Sequence, residues 1–334
     1  MRRCVSWLVA ALVTASLAFA GAGTTAESKL RVGLVLQSLG AQDPYNSPAL
    51  RGFSRAVKSL DIKGRVVVAS PSRGALPSIA YLARQKYDLV IGYGYLIVRA
   101  MDTAALRFPG TKFAIIDASQ KDLPHKPKNV RGGMFAAEQP SYLAGYLAAL
   151  MEQRRPGRDT IGAVGGVKIP TVDHFIAGYE AGARRATPRV TTLTGYAGSF
   201  FNPAKCEAVA RRQIARGAGV IFQVASSCGL GALDAAREEG VWGIGVDIDQ
   251  SSLGPHVLTS ALKRLDVGVF ATVEALQRGT FRTGGDAVFD LRDGGVGLGK
   301  ISPKVPRAFL RQLERVRAQI AAGKITVPAV LGKQ

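Results

Sequence analysis

Short runs of aliphatic and β-branched residues alternate along this chain with longer stretches in which apolar residues recur every three or four positions. The run LRVGLVLQS (30–38) reads as a strand, and SPALRGFSRAVKSL (47–60) as the amphipathic helix that follows it. The alternation continues through VVVAS (66–70), a helix near 76–86, YDLVIGYGY (87–95), a helix at 96–107, KFAIIDAS (112–119) and VRGGMFA (130–136). It restarts with a helix at 139–152, then TIGAVGG (160–166), HFIAGYEAGARRA (174–186), VTTLTGYAG (190–198) and PAKCEAVARRQIARG (203–217). VIFQVAS (220–226), GALDAAREEG (231–240) and WGIGVDID (242–249) complete the second series. Strands separated by helices are strands joined by crossovers, which parallel neighbours require. The fold class is therefore α/β, with two doubly wound parallel-sheet lobes that meet near residues 136–140.

The tail does not begin a third lobe. A strand feeding a helix (257–279), a strand with a glycine-rich turn (287–299) and a last helix (305–323) are too few to enclose a core. They are expected to return to the two lobes, so that the chain crosses between them more than once and forms a hinge. The domain reading is a signal segment at 1–26, a first lobe of 27–136 plus about 257–284, and a second lobe of 137–256 plus about 285–334.

The leading segment MRRCVSWLVAALVTASLAFAGAGTTA pairs two arginines with an apolar stretch and small residues at Ala18 and Ala20. That is the pattern of a cleaved secretory signal, and its apolar stretch is too short to span a bilayer. Cys4 stands in the charged part, too early to be the lipid-bearing cysteine of a lipoprotein. The mature protein is expected to be soluble, in a bacterial periplasm or outside the cell, and a monomer.

Charge changes this picture little. With 44 Lys and Arg against 24 Asp and Glu the chain carries +20, which raises nucleic acid as a partner. Export argues against it, and the basic residues are spread over helix faces without interleaved aromatics.

Ligands of open parallel sheets bind beyond the carboxyl ends of the strands. Those ends deliver Gln37, Asp43, Tyr45 and Asn46, then GYGY, then Asp117; in the second series they deliver GGVKIP, GSFFNP, SSCG and DID. Asp247 closes the last strand of the second series, either facing a ligand or capping a turn. Asp249, two residues on, is expected to brace the loop. Tyr45 and the Phe200–Phe201 pair lie in loops, where an aromatic can stack on a planar ligand or tuck under its own loop.

Enzyme chemistry finds little support. His125, His174 and His256 lack metal-ligand spacing, and neither a nucleophile elbow nor a Walker loop is present. No metal or cofactor is implied. Cys206 opens a helix and Cys228 ends the next strand, so both reach one edge of the second lobe, as a disulfide or as two buried thiols.

RVGLVLQSLGAQDPYNSPALRG, YDLVIGYGYL, FPGTKFAIID, FAAEQPSYLAGYLAAL, IGAVGGVKIPTVDHFIAGYEAGAR, YAGSFFNPAKCEAVARRQIARGAGVIFQVA, GIGVDIDQ and VLTSALKRLDVGVF resemble, in order, the basic membrane protein family. Its members are substrate-binding proteins of ABC importers, several of them binding purine nucleosides, with a type I periplasmic binding protein fold. The resemblance implies a nucleoside-like ligand between the lobes and a membrane permease as partner. It places Tyr45 and Phe200 on either side of the base, and Asp247 and Lys263 on the ribose hydroxyls. Asp117 is a further candidate for a base contact. Gln37 stands where members typically have an aspartate, and DPYN is one residue shorter than the usual D-x-S-F-N. A glutamine both donates and accepts, so the identity of the base stays open. Another heterocycle, a free nucleobase, or an enzyme or sensor on the same fold are the alternatives.

Overall fold

A computed structural model describes residues 29–37, 45–155 and 159–332. The expected signal segment and Asp43 lie outside the described residues. In chain order the first lobe begins with β1 (Leu30–Leu36), α1 (Asn46–Ser59), β2 (Ile62–Val68), α2 (Leu76–Arg84) and β3 (Leu89–Tyr93). It continues through α3 (Val98–Arg107), β4 (Lys112–Ile116) and β5 (Val130–Phe135). The second lobe follows with α4 (Glu138–Glu152), β6 (Thr160–Gly165), α5 (Pro170–Ala186), β7 (Thr191–Tyr196), α6 (Pro203–Ala215), β8 (Val220–Val224), α7 (Gly229–Glu238) and β9 (Trp242–Asp247). The tail supplies β10 (Val257–Lys263), α8 (Leu265–Gln277), β11 (Gly285–Phe289), β12 (Val296–Leu298) and α9 (Arg307–Ala321).

Among the described residues there are two six-stranded sheets with one plan. The first runs β11-β5-β4-β3-β1-β2 and the second β12-β10-β9-β8-β6-β7. Substituting β6 for β1, β7 for β2, β8 for β3, β9 for β4 and β10 for β5 turns one order into the other. Central strands are buried over most of their length, β3 and β8 at every residue. This is why they read as unbroken apolar runs rather than as alternations. β2 starts four residues earlier than its apolar half suggests. As an edge strand it exposes Lys63 and Arg65, yet pairs with β1 from Leu30 opposite Ile62 onward.

The tail's division differs from the sequence expectation in two places. Val257–Lys263, expected with the first lobe, is hydrogen-bonded to β9 in the second sheet. Gly285–Phe289, expected with the second, pairs with β5 in the first. The reason is the shared plan: each sheet needs a buried strand beside its fourth, and β10 fills in the second the place that β5 fills in the first. α8 does join the first lobe, packing on α1 with the Arg55 guanidinium 4.3 Å from the centre of the Phe270 ring.

The chain therefore crosses between lobes at Ala136–Ala137, at Arg264, and between β11 and β12. The crossings are tied together by hydrogen bonds, Ala136 N donating to Phe289 O (2.9 Å) and Arg264 N to Gly295 O (2.9 Å). Behind them α4 and α5 lie backbone to backbone. A Cβ on Gly178 would stand 2.1 Å from the Glu138 carbonyl oxygen, and one on Gly182 would stand 1.9 Å from that of Tyr142. No side chain fits at either position.

Candidate ligand-binding site

The carboxyl ends of the two sheets face each other across a cleft of about 580 Å³, counted with its mouth. In each lobe the third and fourth strands of the plan end in left-handed backbone. Gly94 (φ 88°) and Asp117 (φ 63°) follow β3 and β4; Ser226 (φ 50°) follows β8, and Asp247 (φ 65°) ends β9. Aspartate is among the few residues with a side chain that tolerate this conformation. It turns the chain sharply and aims both carboxylates at the cleft.

Between them stands Lys263, the last residue of β10, 4% exposed. Its Nζ lies 2.8 Å from Asp117 Oδ2 and 3.1 Å from Asp247 Oδ1, so one ammonium bridges a carboxylate from each lobe. Burial alone would lower its pKa, but Asp117 and Asp247 outweigh burial and hold the ammonium above its usual range. Tyr45 Oη donates to the same Asp117 Oδ2 at 2.6 Å. Its phenol is pushed well above the usual tyrosine value, by burial first and by Asp117 second. The Lys263 ammonium also lies 5.1 Å from the Tyr45 ring centre and 5.3 Å from that of Phe175. Two carboxylates around one ammonium leave the array with a net negative charge.

The first-lobe wall is a hydrogen-bonded assembly. Gln37 Nε2 donates to Tyr93 O (2.9 Å), and Asn46 Nδ2 donates to Gln37 O (3.0 Å). The Tyr93 hydroxyl donates to Asn46 Oδ1. Gln37 and Tyr45 line the cleft, whereas Asn46 is fully buried behind them and supports the wall rather than facing the ligand space.

The second-lobe wall is largely apolar, with Ile169, Val172, Phe175, Phe200, Val224 and Val246. Phe200 covers Gly166, where a Cβ would stand 2.5 Å from its ring, and Phe201 turns outward with 52% exposure. Phe200 O accepts hydrogen bonds from Cys228 N (2.9 Å) and Ser227 Oγ (3.1 Å). Cys206 and Cys228 form a disulfide with Cα atoms 5.6 Å apart. The aromatic loop is thus fastened to the turn after β8. Asp249 lies away from the cleft, accepting from Ser251 N (3.0 Å) and Lys300 N (3.2 Å).

The structure thus gathers Gln37, Tyr45, Asp117, Phe200, Asp247 and Lys263 around one cleft, and sets Asn46 behind it. Residue-level reading does not single out Phe175, Val172 or Ser226. Phe175 sits on the apolar stripe of α5, and nothing in a helical period separates a cleft-facing stripe from a core-facing one. Among the described residues no group of three His, Cys, Asp or Glu is placed to hold a metal. No helix among them is long and apolar enough to cross a membrane.

Two parallel-sheet lobes joined by three crossings, with a partly charged and partly aromatic cleft between them, define a two-lobed solute-binding protein. Comparison with known proteins is consistent with that class. Residues 29–330 match the family model described as ABC transporter substrate-binding protein PnrA-like, and the chain belongs to this Bmp family. It is 32% identical over 280 residues to Basic membrane protein B of Borrelia garinii subsp. bavariensis, covering 81% of each chain. It is 30% identical over 332 residues to the ABC transporter nucleoside-binding protein BmpA of Lactococcus lactis subsp. cremoris, covering 92% of each. An ABC transporter solute-binding protein from Aeropyrum pernix K1 shares the fold with a TM-score of 0.77 at 24% identity, over 90% of this chain and 94% of that one.

Proposed function

We propose that this protein is a periplasmic receptor that closes on a nucleoside, most favourably a purine nucleoside, and hands it unchanged to the permease of an ABC importer. The observation that carries the reading is the buried Asp117–Lys263–Asp247 array beside an apolar cleft bordered by Tyr45 and Phe200. A pair of sugar hydroxyls donates to carboxylates and accepts from an ammonium, and a base stacks on aromatic faces. The lactococcal relative's name, a nucleoside-binding protein, supports the same ligand class.

The array also discriminates. Its net negative charge opposes a phosphate, so a nucleotide is disfavoured although the whole chain carries +20. Binding both walls at once stabilises the closed arrangement, and that arrangement is what a membrane partner distinguishes from the open one. Gln37 in place of an aspartate bears on which base is preferred. The exported state rests on the signal-like leader.

The test is mass spectrometry of ligand released by denaturing protein purified from cells, followed by incubation with a nucleoside mixture. Recovery of an intact nucleoside, with no nucleotide bound, is the expected result. A phosphorylated ligand, a free base, or conversion of the added nucleosides would overturn the reading.

A further inference from the structure

Ser226 combines two costs at one position. Its Oγ is buried without a hydrogen-bond partner among the described residues. Its backbone is left-handed at φ 50°, a conformation that glycine adopts freely and serine does not. The residue lines the cleft. Desolvated hydroxyls without partners are rare in folded proteins, and strained backbone collects at binding sites.

The first lobe offers a comparison. In the corresponding turn after β3 the left-handed residue is Gly94, one place earlier relative to its strand than Ser226; it has φ 88°, and a Cβ there would stand 2.3 Å from Gln37 Nε2 and 2.9 Å from Tyr45 Oη. The first wall has no room for a side chain at that turn. In the second lobe the left-handed residue falls one place later, on Ser226, where glycine would satisfy the backbone without strain.

Strand order fixes where that hydroxyl stands. β10, β9 and β8 are successive neighbours, so Lys263, Asp247 and Ser226 follow one another along the cleft, with Phe200 beyond them beside Gly166. Ser226 thus lies between the charged array and the stacking aromatic. We propose that the Ser226 hydroxyl hydrogen-bonds a polar atom flanking the ligand's glycosidic bond, and so selects nucleosides that carry it. A base-ring nitrogen and the sugar 5′-hydroxyl both offer that chemistry. The assignment rests on the nucleoside reading above.

Calorimetry with adenosine, guanosine and inosine on the mature protein comes first. The tightest of the three is then compared with its 3-deaza and 5′-deoxy analogues on wild type, Ser226→Ala and Ser226→Gly. Both variants are expected to bind the parent nucleoside about fivefold to tenfold more weakly, the loss of one hydrogen bond. One analogue should already bind wild type as weakly and be indifferent to Ser226→Ala, which tells ring nitrogen from 5′-hydroxyl. Ser226→Gly should also raise the melting temperature of the unliganded protein while lowering affinity, which a hydroxyl needed only for stability would not do. Unchanged affinity in both variants overturns the assignment alone, as does equal sensitivity of the parent and both analogues. Failure of wild type to bind any of the three nucleosides overturns the nucleoside reading and this assignment with it.

Discussion

The two lobes share one strand order and build unlike walls from it. In the first, the residues at the strand ends satisfy one another: Gln37 holds Tyr93, Asn46 holds Gln37 and Tyr45 holds Asp117. In the second, apolar side chains dominate, and a disulfide with two hydrogen bonds to Phe200 O fixes the loops. The second lobe also contributes Lys263, whose charge reaches across to the first. A repeated fold therefore supplies the positions, and the difference between copies gives the cleft two unlike walls. One wall is set by polar contacts before a ligand arrives, while the other offers apolar surface together with Asp247 and Ser226.

The largest expected effect breaks the link between the walls. Lys263→Met leaves Asp117 and Asp247 buried without their cation, and should cost about 3–5 kcal/mol in denaturant unfolding. The further change Asp117→Asn should restore part of that loss. A cost near zero would mean that the array is solvated in solution and that the lobes stand apart there. Next, removing the Cys206–Cys228 bridge by a double change to Ala should cost about 3 kcal/mol, the value for a loop of this length. Thermal unfolding should show the loss in the second lobe, and amide exchange in β1 and β4 should not change below the global opening.

Asp247→Asn sharpens the contrast at the level of the ligand. Losing a charged hydrogen-bond partner costs on the order of 1.5–3 kcal/mol, so ribonucleoside affinity should fall at least about tenfold. A 2′,3′-dideoxy analogue should bind wild type weakly and be nearly indifferent to the change. Equal losses for both ligands would assign Asp247 to the turn rather than to the sugar. The smallest effects separate the aromatics. Phe200→Ala should weaken binding by about 1–3 kcal/mol with little change in apo stability, as loss of base stacking does. Tyr45→Phe keeps its ring and should weaken binding less than Tyr45→Ala, while disturbing the Asp117 environment.

The alternation of apolar runs and helical periods was enough to read the two-lobed α/β plan, because buried parallel strands must be apolar along their length. The same fact hid the tail's division. VLTSALK and GDAVF both read as strands, and nothing local says which sheet will accept them, since that choice depends on which neighbour is left unpaired. Asp117 and Asp247 were legible as strand-end carboxylates. Lys263 entered only through family resemblance, because a lysine after an apolar run ordinarily faces solvent, and its burial depends on two carboxylates far away in sequence. Ser226 was placed only as part of a strand end, SSCG: a serine there looks like any turn residue until its backbone angle and its isolation are visible.

The glycine seam between α4 and α5 has a mechanical consequence. Helices in backbone contact, with no side chains between them to reorient, form a stiff body, and Gly178 rests on the carbonyl of Glu138, the first residue beyond the Ala136–Ala137 crossing. The same α5 carries Val172 and Phe175 into the cleft at its other flank. Deformation is thereby excluded from the arm and concentrated at the crossings, which act as compliant joints. A small push at the cleft reaches the hinge as rotation instead of being absorbed by bending along the way.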